Sequence, residues 1–396
     1  MESTCFLWNH QQHGQVIGVG SSHELKLRPN FDHTLIQDFF TLHKGKYIFG
    51  YLSYDLKNEF ENLSSNHQDH LDFPLLHFWV PDSLFQVKEK PFLLWGSTNE
   101  THWHKAEGFL SSFLSKDATL NIPFEARTEQ SRYTQQFDQL KNALQRGDIY
   151  EVNYCQEFYV EQCSIERPLA LFGRLNELTK APHAAYFQTD THYVLCASPE
   201  RFIQKTGSLL RSEPIKGTAP RSKDQIQDSQ FAEALQNNPK ERAENIMIVD
   251  LVRNDLSQIA TKNSVQVEEL CQIYSFETVH QMISKISCEL DESVGFYEIL
   301  KACFPMGSMT GAPKIAAMQQ IEAHEDFKRG LYSGSIGLID PNGDFDFNVV
   351  IRSLLYNRKT QYLSCAAGSA ITITAHAEAE FQECLLKAEK LIHGLS

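Results

Sequence analysis

The sequence has no run of apolar residues approaching the roughly 18 that a membrane span needs, and residues 1–15 lack the charged leader and apolar core of an export signal. A water-soluble, cytoplasmic chain is the expectation. Positive charge is scarce as well: 36 Lys+Arg stand against 50 Asp+Glu, a formal net charge of -14, whereas nucleic acid and anionic membranes select for a clustered positive field. Neither is expected as a partner. The nine cysteines are odd in number and none falls into C-x-x-C spacing, which argues against a disulfide framework or a zinc ribbon and for reduced thiols. No fixed-period repeat, low-complexity tract or Pro/Gly/Ser-rich linker divides the chain.

What is present is the composition of a globular enzyme: 396 residues, 42% hydrophobic and 22% charged, enough apolar surface for a large core. The weakest region is the polar, turn-rich stretch from 97 to 130, which suggests a soft division into 1–125 and 126–396. Before it, KYIFGYLSYDL (46–56) and PLLHFWV (74–80) read as strands from their aromatic and β-branched content. After it, helical spacing predicts a helix over 132–146, a stop at Gly147-Asp148, and then a strand. Further strands are predicted at 192–198, 333–340, 347–356 and 362–373. Strands that follow one another through short turns, irregularly interrupted by helices, favour an α+β fold with mainly antiparallel sheets over a doubly wound α/β fold.

Two helices carry carboxylates in pairs. In NPKERAENIMIVDLVRNDL (238–256), Asn238 is a natural N-cap, Pro239 fits the first helical position and Glu241 the third, the capping-box arrangement. The apolar residues spread around the helical wheel and predict burial on most sides, which puts Glu244 on a buried surface. A buried carboxylate must be paired, hydrogen-bonded or metal-bound; a salt bridge or an exposed first turn explains it as readily. In the last helix, about 377–391, Phe381, Leu385, Ala388 and Ile392 form an apolar stripe, with Glu380, Glu383 and Lys387 on a polar one that an ordinary solvated face would also show. The pairs Glu241/Glu244 and Glu380/Glu383 nevertheless have the spacing to converge on a hard cation, and all-oxygen ligands favour Mg²⁺ over zinc.

The glycine-rich turn CFPMGSMTGAPK (303–314) offers backbone N–H groups that could cradle an anion, but it is not a P-loop. SGSIG (333–337) and AAGSA (366–370) are small-residue strand ends that close strand packing alone would explain. Lys216, between Pro214 and Pro220, reads as part of a rigid turn. It is either a solvated charge or a nucleophilic amine, and the second needs desolvation or a neighbouring cation to make it neutral. Glu200 is open between a structural ion pair and a general acid/base.

Taken in order, SPERF (198–202), PIKGT (214–218), AENIMIVDLVRND (243–255), ETVH (277–280), FPMGSMTGAPK (304–314), YSGSIG (332–337), IRSL (351–354) and EAEFQE (378–383) resemble the motif series of the chorismate-utilising enzymes. GDIYEVNYCQ (147–156) and FGYLSYDL (49–56) are similar to the same family, whose likeness is dense from about 130 onward and thin before it. The resemblance implies an anthranilate-synthase-like fold, two mainly antiparallel sheets packed as a sandwich with helices outside. It makes 126–396 the chorismate-binding catalytic domain and 1–125 an N-terminal region. Within the family, a lysine in the PIKGT motif belongs to the aminodeoxychorismate synthase branch, where anthranilate and isochorismate synthases usually carry alanine. The lysine with which isochorismate and salicylate synthases activate water is replaced here by Glu151, so ammonia is the implied nucleophile.

The implied site follows residue by residue. Glu244 and Glu383 hold Mg²⁺, with Glu241 and Glu380 reaching it through water. Arg352, Tyr332 and Lys387 hold the carboxylates of chorismate, helped by backbone N–H groups near Gly334 and Gly368. Lys216 adds at C2 as the C4 hydroxyl leaves, Glu200 protonates that hydroxyl, and His280 and Thr310 line the same end. Ammonia from a separate glutamine amidotransferase subunit then attacks C4, in the route to p-aminobenzoate and folate. One departure is Gly368-Ser369-Ala370, where the family commonly has a glycine-rich run. The nearest rival is an anthranilate synthase component I, although the Leu-Leu-Glu-Ser element of tryptophan-regulated members is missing. A non-catalytic chorismate-binding regulatory subunit is the alternative from another class.

Overall fold

Strands with the alternation and β-branched content noted above assemble into two layers. The computed structural model describes residues 5–10, 14–97, 99–115 and 117–395. Among these, one sheet has 11 strands and the other 10, and the pairing between neighbours is antiparallel throughout. The largest apolar cluster lies between them, combining Val16, Leu84, Phe187 and Val194 of the first sheet with Phe49, Trp79, Phe202 and Phe347 of the second. Trp79 is fully buried, its ring 5.9 Å from Phe49 and 4.9 Å from Phe187. Helices Glu100–Ser115 and Pro168–Thr179 cover the outer face of the first sheet through Phe109, Phe113, Leu171 and Phe172. The α+β sandwich with external helices is therefore the architecture of the chain.

The boundary at 125/126 does not separate two packed bodies. Strand Ile48–Leu52 pairs with Ser335–Ile339 in one sheet and Cys5–His10 with His183–Gln188 in the other, so the first third supplies strands to both layers. The polar composition of 97–130 reflects an exposed helix face, not a linker: in Glu100–Ser115 only Ala106, Phe109, Leu110 and Phe113 are buried.

The elements that carry the site form largely where local chemistry places them. Helix Gln130–Arg146 ends at Gly147 in the left-handed conformation, φ 79°, and strand Glu151–Val160 begins four residues later. Asn238 caps helix Pro239–Ser257 by accepting hydrogen bonds from the Lys240 and Glu241 amides. That helix is buried on one face only, through Glu244, Asn245, Ile248, Val249, Val252, Asp255 and Leu256, while Ile246 is exposed. Two further expectations are corrected. Residues 347–356 are not one strand: Phe345–Asn348 lies in the second sheet and Ser353–Asn357 in the first, and the chain crosses between them at Arg352, φ 53°. Lys216 is not on a turn but on an edge strand, Ile215–Pro220, consistent with a proline that cannot donate to a ladder.

Candidate active site

The edge strand that carries Lys216 pairs with Val279–Glu289 out of register. Ile215 faces Ile283 and Thr218 faces Gln281, so Lys216 and Gly217 together oppose one residue. Such a bulge turns a side chain out of the regular alternation. Gly217 makes it possible: its φ is +89°, and a Cβ there would stand 2.9 Å from the Glu241 carboxylate. The Lys216 ammonium meets Glu151 at the start of a strand of the opposite sheet, Nζ to Oε1 2.7 Å. Gly311, φ +141°, lets the 303–314 segment pair against Glu151 and Val152, where a Cβ would strike the Glu151 carbonyl at 2.1 Å. The ion pair thus joins the two sheets at one end of the sandwich.

Three carboxylates surround Lys216. Burial disfavours its charge, but Glu151, Glu244 and Glu200 outweigh burial and hold its pKa above the ordinary lysine value. These neighbouring carboxylates favour the charged amine over the neutral form that a nucleophilic role requires. Glu200 is also buried, and burial lifts its carboxyl to about 7 against the opposing influence of the Ser308 hydroxyl, Lys216 and the Ile215 amide. A carboxylic acid poised near neutrality is suited to donate a proton.

The two carboxylate helices converge as their spacing suggested, with a cation between them that the sequence reading missed. Lys240 Nζ lies 3.0 Å from Glu380 Oε1 and 3.8 Å from Glu244 Oε1. Glu244 Oε1 and Glu380 Oε2 are buried without a hydrogen-bond donor, and burial lifts the Glu244 carboxyl to about 7. Orphaned, oxygen-only donors of this kind fit a hard divalent cation. Among the described residues no group of three or more His, Cys, Asp or Glu side chains stands close enough together to hold a metal ion, so the pair would need a substrate oxygen, water or a side-chain movement to complete a shell. Glu383, on the same helix as Glu380, pairs with Lys387 at 2.6 Å; burial pushes its carboxyl up, but Lys387 prevails and holds it below the ordinary value.

A second group lies beside these. Lys387 Nζ donates to the Gly368 carbonyl at 2.7 Å, and Arg352 Nη1 donates to the Lys387 carbonyl at 3.3 Å. No carboxylate pairs with Arg352 among the described residues, and burial lowers its pKa, with Tyr332 and Glu383 nearby opposing. Tyr332 is buried against Cys155, the residue opposite Gly368 in the sheet. An unpaired guanidinium, an ammonium and a phenol gathered in one place suit an anionic ligand.

Other expected residues are engaged elsewhere. The N–H of Gly334 donates to the Leu331 carbonyl, and a Cβ at Gly334 would meet the Leu52 carbonyl at 2.1 Å, so this glycine serves strand packing. At Gly368 a Cβ would stand 2.4 Å from Cys155 Sγ, the same role. Both His280 ring nitrogens have partners, Ser275 Oγ at 2.9 Å and Asp228 Oδ1 at 3.0 Å. Thr310 Oγ1 donates to backbone carbonyls of Met306 and Gly307. Nor is the 303–314 turn an open anion cradle: the Met309 and Thr310 amides donate to Met306 and Gly307 within the turn. Its contribution is Ser308, which reaches Glu200.

The two sheets meet at a largely buried lysine, with opposed carboxylate helices and a guanidinium without a carboxylate partner among the described residues alongside. The family of chorismate binding enzymes matches residues 3–393, and the chain belongs to it. More particularly, it is 34% identical over 351 residues to aminodeoxychorismate synthase component 1 of Escherichia coli (strain K12), covering 87% of this chain and 76% of the relative. The namesake from Bacillus subtilis (strain 168) is 32% identical over 354 residues, 86% and 74%. An anthranilate synthase component I-like protein of Synechocystis sp. is 30% identical over 380 residues, 94% and 76%. Among solved structures, anthranilate synthase component I of Streptococcus pneumoniae superposes with a TM-score of 0.81 at 23% identity, covering 95% of this chain and 91% of that one. The menaquinone-specific isochorismate synthase MenF of Escherichia coli gives 0.78 at 20%, 100% and 89%. These two share the fold.

Proposed function

We propose that the chain is component I of an aminodeoxychorismate synthase, converting chorismate and ammonia to 4-amino-4-deoxychorismate for p-aminobenzoate and folate synthesis. The observation that carries this is Lys216: a buried lysine on a bulged edge strand, aimed between the sheets and accompanied by a carboxyl poised near neutrality. Arg352, Lys387 and Tyr332 bind and orient the substrate's carboxylates. Lys216 Nζ forms a bond to C2 of the ring while the C4–O bond breaks, and Glu200 delivers its proton to the departing hydroxyl, giving water. Ammonia then forms a bond at C4, the ring double bonds shift back, and the C2–N bond breaks to release Lys216. A glutamine amidotransferase subunit is the proposed source of ammonia.

We assign Glu244 and Glu383 to hold Mg²⁺, with Glu241 and Glu380 behind them. When bound there, the ion supplies positive charge that polarises a substrate carboxylate in an otherwise acidic site. His280 acts through others, tying helix Gln225–Gln236 through Asp228 to strand Val279–Glu289, the partner of the Lys216 strand, and Thr310 fixes the turn that presents Ser308.

The test is purified protein with chorismate, Mg²⁺ and ammonium. The expected product yields p-aminobenzoate only after a lyase is added; fluorescent anthranilate appearing without a lyase overturns the reading in favour of an anthranilate synthase. No turnover and no chorismate-derived adduct on Lys216 would point to a binding subunit.

A further inference from the structure

A lysine side chain is ordinarily an ammonium at neutral pH, and an ammonium has no lone pair with which to attack carbon. Something must take its proton at a position with little contact with bulk water, where Lys216 is 10% exposed and Glu151 1%. Glu200 is reserved as a donor, since it must hold a proton for the leaving hydroxyl. Glu244 belongs to the carboxylates assigned to the cation. Glu151 Oε1 already accepts a hydrogen bond from Lys216 Nζ at 2.7 Å, along the path a proton would follow. Its second oxygen, Oε2, is buried and has no hydrogen-bond partner, so the carboxylate is incompletely satisfied.

We infer that Glu151 is a catalytic base that takes the Lys216 proton as the lysine attacks and returns it when the lysine leaves. This rests on the proposed function above. The protons balance. Transfer from Nζ to Glu151 gives a neutral amine and a carboxylic acid. Attack at C2 makes a secondary ammonium while the Glu200 proton leaves as part of water. When ammonia adds at C4, the C2–N bond breaks and Lys216 departs as a neutral amine, which recovers its proton from Glu151. The Glu200 carboxylate is reprotonated by the nitrogen newly bound at C4.

The assignment also explains why an acidic residue stands at Glu151. Beside Lys216 on its own strand are Ile215 and Gly217; the charged groups that act on it from other elements are Glu151 from the opposite sheet, Glu244 and Glu241 from helix Pro239–Ser257, Glu383 from the last helix and Glu200 from the Ser198–Arg201 turn. Among the described residues, Glu151 is the one hydrogen-bonded to the amine.

The experiment is single-turnover adduct formation, read by intact-protein mass spectrometry after mixing full-length protein with chorismate and Mg²⁺ in the absence of ammonia. Glu151→Gln is expected to slow the adduct by about 10²- to 10⁴-fold. Its rate should then climb about tenfold per pH unit through the alkaline range, because solvent must remove the Lys216 proton, while the wild-type rate lacks that climb. An adduct at the wild-type rate, or one that is slow with the wild-type pH profile, overturns the assignment. Chorismate affinity by calorimetry checks that the variant is folded. Should Glu151→Gln not fold, Glu151→Asp keeps a base, and a steep alkaline climb in that variant overturns the assignment as well. If wild type itself forms no adduct, it is the proposed nucleophile that fails.

Discussion

Replacing Arg329 by methionine tests how the site is held together. The guanidinium is 3% exposed and makes five hydrogen bonds: two to Glu325, at 2.8 and 2.6 Å, and one each to the carbonyls of Met309 and Asn153, both at 2.7 Å, and to Ser333 Oγ at 3.3 Å. It therefore ties the turn bearing Ser308 to the strand bearing Glu151. Methionine fills much of the same volume but leaves Glu325 as an uncompensated buried charge, and breaking such a pair from one side costs about 3–5 kcal/mol. With an unfolding entropy of about 2.1 cal/mol/K per residue, that corresponds to a fall in Tm of about 4–6 °C for a chain of this length. Differential scanning calorimetry measures it. Glu325 also accepts from the Cys155 amide at 2.8 Å, which glutamine can still do, so Arg329→Met with Glu325→Gln should recover at least half of the loss. A single variant that melts within 1 °C of wild type, or a double variant no better than the single, would refute the argument that an unpaired charge is what destabilises.

Three further outcomes are expected. Because Glu200 must be protonated to donate and burial sets its pKa at about 7, ammonia-dependent turnover should decline as pH rises through about 7; Glu200→Gln should lower kcat about 10²- to 10⁴-fold with chorismate affinity retained, checked by steady-state rates and calorimetry. Lys240→Met removes the cation now shared by Glu380 and Glu244; a half-exposed ion pair is worth about 1 kcal/mol at most, so titration calorimetry should show Mg²⁺ binding up to about fivefold tighter. Gly217→Ala places a Cβ at φ +89° and 2.9 Å from Glu241, costing about 1–2 kcal/mol and flattening the bulge, which should slow adduct formation at Lys216 more than it weakens chorismate binding.

What the sequence reveals is what neighbours along the chain decide. The Gly147 stop, the Asn238 cap and the strand at 192–198 depend on local geometry, and all appear where their residues predict them. The crossover at 349–352 escapes because Val349, Val350 and Ile351 read as any buried strand does, and nothing local signals an arginine in the left-handed region. Glu380 is assigned to a polar stripe by helical spacing, yet it is 2% exposed because helix Pro239–Ser257 brings Lys240 onto it. Spacing and turn chemistry single out the carboxylate pairs, Lys216 and Glu200, and the family resemblance supplies their roles; the Glu151 contact with Lys216 has no such signal, because it spans two sheets. His280 and Thr310 are close in sequence pattern to working residues, but their polar atoms are spent within the scaffold.

The interleaving of the sheets also governs the order in which the molecule can come into being. Ile48 pairs with Ile339, and Val152 with Ile371, so strands made early must wait for partners made late. During synthesis their unpaired edges and apolar faces stay exposed until the last strand emerges, a period in which sheet edges invite pairing with other chains. Glu151 and Lys216 cannot be set against one another until the late strand Tyr362–Ile371 locks the Glu151 strand into its sheet, and Glu380 arrives later still. A nascent chain lacking helix Ala377–Ile392 would therefore hold the described strands of both sheets but lack Glu380 and Glu383, so its set of acidic side chains would be incomplete.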